Sequence, residues 1–236
     1  MNTGYYENLS ENFNQAVELL QEDYTHTQLI ELLNSGNIVQ KQFSALRLTT
    51  INSIEDATAL MSNLTGQDGK IREVVSLRLK EFLSDNKLVD YFKQKDFYQI
   101  FLDAIIDING NICRNIISAI LNLKTDENFC NIFCSKLVIL TNDLLDKIEQ
   151  VDFREGKYKV NKEVFKLYWC LETFYYFYDK INLIDLKKVL LRAKNIEEYT
   201  IREKVAKILT NEIDDVELKS AKNELKNDKN YYVRRF

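Results

Sequence analysis

The sequence predicts an all-α fold built as an array of helix pairs, and three observations predict it. The chain of 236 residues contains no Pro and six Gly, whereas strand-rich folds need residues of fixed or positive φ at many corners. Its apolar residues recur at spacings of three and four along most of the chain, which is the period of one helix face. Similar helix starts return after 42, 88 and 32 residues, the first two corresponding to one and two steps of about 42 to 44, the length of one helix pair with its turns.

Hydrophobic residues make up 45% and charged residues 29%, enough apolar content for a core and too much for a disordered chain. The expected organisation is one domain over residues 1–236 with residues 1–24 as an N-terminal cap. Residues 9–22, carrying Phe13, Val17, Leu19 and Leu20, form the cap helix. First helices of successive pairs are expected near 25–34, 54–62, 95–107, 126–148, 183–193 and 214–225. Their partners fall near 37–50, 69–83, 111–123, 160–178, 197–210 and 229–236. The turns follow from the breaks: Asn34-Ser35-Gly36-Asn37 in the first pair, Asp68 as a cap ahead of Ile71, Val75, Leu79 and Phe82, and Ser84-Asp85-Asn86 behind them. Asn109-Gly110 precedes Ile112, Ile116 and Ile120, and Lys194-Asn195 precedes Ile201 and Val205.

Aligning these starts places an apolar residue and then Arg at Ile71-Arg72, Cys113-Arg114, Ile201-Arg202 and Val233-Arg234. An Arg in the first turns of a helix meets the unfavourable end of the dipole, so it needs an acidic or carbonyl partner. Asp68, Glu198 or an acid of the preceding repeat is expected to serve. The unit Asp68-Gly69-Lys70-Ile71-Arg72-Glu73-Val74-Val75-Ser76 resembles a HEAT repeat. That resemblance implies a right-handed α-α superhelix of about five to six pairs, with Asp68, Arg72, Arg114, Glu198, Arg202 and Arg234 tying neighbouring repeats. The match is closest at 68–79; Gly110, Glu198 and Asn230 stand where the acid stands in that unit, and 149–178 departs from the period.

Catalytic and cofactor chemistry find little support. The single histidine, His26, sits at a helix start without a catalytic or metal-binding neighbour in sequence. Cys130 and Cys134 share a helix face, and Cys113 and Cys170 would have to join them to make a thiolate site, but their spacing is not that of a zinc knuckle. They read as buried free cysteines. Asp103 with Asp107 and Asp143 with Asp146 are ordinary helix-face pairs, and no glycine-rich phosphate loop is present. No catalytic residue, metal or cofactor is therefore expected. The start Met1-Asn2-Thr3-Gly4 carries no basic, apolar leader and no segment approaches 18 uncharged apolar residues, so the chain reads as cytoplasmic and not membrane-bound.

The formal charge is -4, which counts against a polyphosphate partner. It is unevenly placed: residues 1–118 hold 10 basic and 16 acidic side chains, and residues 119–236 hold 22 and 20. The helix at 160–178 has two aromatic-rich sides, one through residues 165, 168, 169, 172, 175 and 176 and the other through 167, 170, 171, 174, 177 and 178. It is expected to be a core helix, with exposed tyrosines as the alternative.

These observations point to a protein-binding scaffold. The second helices are expected to line a concave face, with Lys70, Glu73, Lys80, Asn115 and Lys204 exposed to a protein partner. The alternative is nucleic-acid binding or repair, in which Lys159, Lys162, Lys166, Lys187, Lys188 and Arg192 make a positive path beside stacking aromatics. The alkylpurine DNA glycosylases with HEAT-like repeats are similar in length and fold, but they bind DNA on a strongly basic surface.

Overall fold

The computed structural model describes residues 3–150 and 157–236, with side chains described from 11 to 150 and from 162 onward. Among these residues every regular element is helical. In order they are α1 (Thr3–Gln21), α2 (His26–Ser35), α3 (Ile38–Arg47), α4 (Ile54–Met61), α5 (Gly69–Leu83), α6 (Lys95–Ile105), α7 (Gly110–Ile120), α8 (Glu127–Glu149), α9 (Lys157–Phe177), α10 (Leu183–Ala193), α11 (Tyr199–Ile208), α12 (Val216–Leu225) and α13 (Tyr231–Arg234). Short 3-10 turns lie at Val89–Phe92, Leu121–Leu123 and Tyr178–Lys180. The expected all-α class is thus met, and the helix at 9–22 proves longer than predicted.

The helix starts are fixed locally. Thr25 and Asn37 each form a capping box, with Gln28 and Gln40 returning the bond to the cap backbone. Ser53, Asp68, Asp126, Asn182 and Asp215 accept backbone N–H groups of the helices they open. Gly36 allows α2 and α3 to join tightly, because a Cβ there would lie 2.5 Å from the Leu32 carbonyl oxygen. Gly66 supplies the positive φ, 70°, in the turn between α4 and α5.

The described chain divides into two compact units, Met1–Ile100 with Arg114–Asn122 and Phe101–Cys113 with Leu123–Phe236. In the first, α2 packs on α3 and α4, and α3 packs on α1 and α5. Leu33, Leu48, Leu60, Met61, Val75 and Leu79 fill its core. Two polar groups cross-link that core: the Asn63 amide donates to the Leu33 and Ala59 carbonyls at 2.9 and 2.8 Å, and Ser44 donates to the Leu29 carbonyl. His26 Nε2 lies 2.7 Å from Asp56, joining the starts of α2 and α4.

In the second unit, α8, α10 and α12 neighbour one another in sequence order, and so do α9, α11 and α13. Phe101, Phe129, Phe133 and Phe177 form a ring cluster, with Phe129 stacked on Phe133 at 5.0 Å and Phe133 5.7 Å from Phe177. One side of α9 is core as expected, whereas the second is partly open, which corresponds to the exposed-tyrosine alternative. Leu167, Cys170, Leu171, Phe174 and Phe177 are buried, whereas Phe165 is exposed and Tyr168, Glu172, Tyr175 and Tyr176 are half-buried. Trp169 alone on that second side is buried, and it lies against Gly110.

Candidate functional site

The residues expected to tie repeats together turn out to anchor turns first. Arg72, Arg202 and Arg234 each sit four positions after a helix cap and reach back to a carbonyl five or six residues upstream. Arg72 donates to Gln67 behind the Asp68 cap, and Arg202 donates to Ile196 at 2.9 Å and Glu197 at 2.5 Å behind the Glu198 cap. Arg234 donates to Asp228 at 2.6 Å behind Asn230. In α7 the cap is Asn109, which accepts from the Asn111 N–H, and so the equivalent position is Cys113, whose thiol donates to the Asp107 carbonyl at 3.1 Å. Cys130 does the same to Lys124 at 3.2 Å behind Asp126 in α8. Arg114 lies one position beyond this series and is exposed.

One inter-helix tie of the expected kind is present, with a different acid. Arg202, 7% exposed, places Nε 2.6 Å and Nη2 3.2 Å from the two oxygens of Asp228. The guanidinium holds Asp228 below the usual carboxylate range. Glu198 caps its own helix at Thr200 N–H. The acid therefore comes from the following turn, 26 residues on.

Further ties join neighbouring helices of the second unit. Arg192 on α10 bonds Asn142, Asp146 and Glu149 of α8, at 2.9, 2.5 and 2.8 Å. Lys187 pairs with Asp215 at 3.3 Å and with Glu217, and Lys194 pairs with Glu224, so α10 is also tied to α12. Glu203 of α11 pairs with Arg235 at 2.7 Å.

The most distinctive surface of the second unit runs over α9, α11 and α13. Glu172 of α9 accepts from Lys204 at 2.5 Å and Lys207 at 2.9 Å, both of α11. The Lys204 ammonium lies 4.2 Å from the Tyr168 ring centre, and the Lys207 ammonium lies 4.1 Å from that of Tyr175 and 5.7 Å from that of Tyr176. On the other side of α11, Tyr199 faces Tyr232 at 6.1 Å, and Arg235 stands over Tyr232 and Phe236 at 5.5 and 5.0 Å. Burial by itself raises the Glu172 carboxyl, but the hydrogen bonds from the two lysines outweigh it and hold the group below its ordinary range. Burial likewise depresses Lys204, and its bonds to Glu172 and Tyr168 reverse the effect and raise it.

This surface corrects one sequence expectation. Lys204 is 8% exposed and paired with Glu172, so it braces α11 against α9 instead of standing free for a partner. Of the other predicted contact residues, Lys70 and Lys80 are exposed, Glu73 is half-buried, and Asn115 is half-buried with its amide donating to Ser76 at 3.1 Å. The predicted basic path is dispersed as well. Lys166 pairs with Glu163, and Lys187 and Arg192 are held by the carboxylates already named, while Lys162 and Lys188 are exposed. The backbone at Lys159 lies in α9, and its side chain lies outside the described residues.

Sequence reasoning missed Glu172, Glu203, Lys207, Asp228 and Arg235. A signal was available in the regular separation of opposite charges. Glu172 and Lys204 are 32 apart, as are Glu203 and Arg235, while Lys187 and Glu217, and Lys194 and Glu224, are 30 apart.

The four cysteines are free and buried. Burial pushes the thiols of Cys113, Cys134 and Cys170 up to about 12, and it raises Cys130 as well. Among the described residues no three His, Cys, Asp or Glu side chains converge on a metal position, and no helix is long and apolar enough to cross a membrane.

No protein-family model and no curated protein matches the chain. A crystal structure of an engineered protein from the Northeast Structural Genomics Consortium is similar over 90% of this chain and 93% of its own, with 11% identity and a TM-score of 0.48.

Proposed function

We propose that the chain is a protein-binding scaffold whose contact surface is the α9–α11–α13 face, within a right-handed superhelix of HEAT-like pairs. The observation that carries this reading is the composition and order of that face. Tyr199, Tyr231 and Tyr232 are exposed, Tyr175 and Tyr176 are half-buried, and Arg235 stands among them. Tyrosine and arginine are enriched among the residues that dominate binding energy at protein interfaces, tyrosine because it brings large area at small rotamer cost and arginine because its planar fork makes several directed hydrogen bonds. The Glu172–Lys204–Lys207 bracket fixes α9 against α11, so the rings are preorganised before a partner arrives.

The stacking of neighbours within the second unit supports the repeat architecture, since α8, α10 and α12 on one hand and α9, α11 and α13 on the other follow chain order. The nucleic-acid alternative has less support. Lys166, Lys187 and Arg192 each face carboxylates, which reduces the counterion release on which phosphate binding depends.

A photo-crosslinking residue placed at Tyr199 or Tyr232, with one at Lys188 on α10 as the control, tests the surface in the source cells. Discrete protein adducts at 199 and 232 but not at 188 are expected, and binding of the identified adduct partner weakens at least about tenfold in Tyr232→Ala. Equal labelling at all three sites, or salt-sensitive binding of labelled oligonucleotides in place of protein, rejects the reading.

A further inference from the structure

The N-terminal helix carries an apolar stripe that the first unit leaves uncovered. Leu19 is buried where α1 packs on α3. Phe13, Val17 and Leu20, spaced at four and three, form a separate line along α1, and Phe13 and Leu20 are 68% and 67% exposed. Scattered exposed apolar residues are ordinary on a monomer, but an aligned Phe, Val and Leu on one helix is the pattern of a helix that lies in a groove.

The charge around the stripe selects what covers it. Residues 1–40 contain six acidic side chains and no Lys or Arg. Glu11, Glu18 and Glu22 around the stripe are exposed. Two such helices facing each other would bring acid against acid, which disfavours a contact between two α1 stripes. A surface that is aromatic at its centre and cationic at its edge is complementary. The α9–α11–α13 face has that composition: Tyr199 and Tyr232 lie 6.1 Å apart with Arg235 over Tyr232, Lys207 stands over Tyr175, and Lys204, Lys207, Arg234 and Arg235 outnumber Glu172 and Glu203, which pair with three of them. The length matches too, since Phe13 to Leu20 spans about 10 Å of helix, close to the spacing of two packed helices.

We propose that α1 of one molecule docks on the α9–α11–α13 face of a second copy, with Phe13, Val17 and Leu20 against the tyrosines and the glutamates beside Lys207 and Arg235. This inference rests on reading that face as a protein-contact surface. The pairing joins unlike surfaces, so each molecule has one of each to offer, and association proceeds head to tail. Three apolar side chains make a small contact, so the complex is weak and salt-sensitive.

Sedimentation equilibrium of the full chain, from about 10 μM to about 1 mM, spans the range of such a contact. The mean mass is expected to rise above the 27.8 kDa of one chain with concentration, and to fall back in high salt. Phe13→Glu with Leu20→Glu disables the helix, and Tyr232→Ala with Arg235→Ala disables the face. Each double variant alone is expected to be monomeric, with self-association weakened at least about tenfold. Their equimolar mixture regains association but stops at a heterodimer, because one intact helix meets one intact face. Circular dichroism checks that both remain helical, and Val17→Lys substitutes for the first variant if α1 unfolds.

A mixture that stays monomeric overturns the proposal, as does a face variant that associates as well as the unchanged chain. A monomeric unchanged chain also overturns it, yet leaves the face itself to be judged by the crosslinking at Tyr199 and Tyr232.

Discussion

Replacing Glu172 by Gln removes one charge from a three-residue bracket and leaves the shape almost unchanged. The Glu172 and Lys204 side chains are 14% and 11% exposed, so the stranded ammonium has little water to turn to. Breaking a buried ion pair from one side costs about 3–5 kcal/mol. The amide oxygen still accepts one hydrogen bond, and Lys207, at 23% exposed, recovers part of its hydration. The expected loss is therefore about 2–3 kcal/mol, or a fall of roughly 5–10 °C in the unfolding midpoint of a chain this size. Urea unfolding followed by helical ellipticity measures it. Glu172→Leu combined with Lys204→Met removes the stranded charge and is expected to recover at least about 1 kcal/mol relative to Glu172→Gln. The pH dependence has two sides. Glu172 is depressed in the fold, so its contribution is present above the ordinary carboxylate range and is lost as pH falls through the depressed value. Lys204 is raised, so its contribution is present below the ordinary lysine range and is lost as pH rises through the raised value. A plateau between about pH 5 and pH 10 follows. A Glu172→Gln protein within about 0.5 kcal/mol of the unchanged chain would refute the bracket as a brace.

Arg202→Lys keeps the charge but loses the planar fork that reaches Asp228 and two carbonyls at once, and it is expected to cost about 2–4 kcal/mol in urea unfolding. The deficit narrows as pH falls through the depressed value of Asp228, because stability held by that carboxylate is lost there in the unchanged chain too. Gly110→Ala places a Cβ 3.2 Å from Trp169 Cζ2, so the indole has to shift by a few tenths of an ångström; destabilisation of about 1 kcal/mol and a change in the emission of this single tryptophan are expected. The four buried thiols are expected to react with an aromatic disulfide reagent at least about 100-fold more slowly in the native chain at pH 8 than in denaturant; rapid reaction of even one would contradict its placement.

The helix positions were legible because the signals are local. The Asp68 cap and the Asn34–Asn37 and Asn109–Gly110 breaks are followed by helices beginning at Gly69, Ile38 and Gly110. The two sides of α9 also followed from its period, but the second is partly open where a core helix was expected, because tyrosine is aromatic enough to read as core while its hydroxyl tolerates water. The contact surface was less legible, because Lys204 looks like any surface lysine until its partner 32 residues earlier is known. The repeat alignment slipped at Arg114 for a related reason. Matching Arg to Arg follows chemistry by name, whereas the turn requires a donor four residues after the cap, and Cys113 supplies it. Asp228 was not legible as the partner of Arg202 because it lies 26 residues downstream, whereas a helix-start arginine points by its dipole to an acid at or before its own cap.

The exchange of guanidinium for sulfhydryl at that position bears on how these bends tolerate change. Arg234 reaches its backbone oxygen from the solvent side, whereas Cys113 and Cys130 do so from inside, with water shut out. A bend fastened from outside accommodates variation in the chain packed beneath it, because its clasp is not part of the filling. One fastened from within has its clasp and its filling in the same few ångströms, so bulk added by alkylating Cys113 or Cys130 would loosen both together.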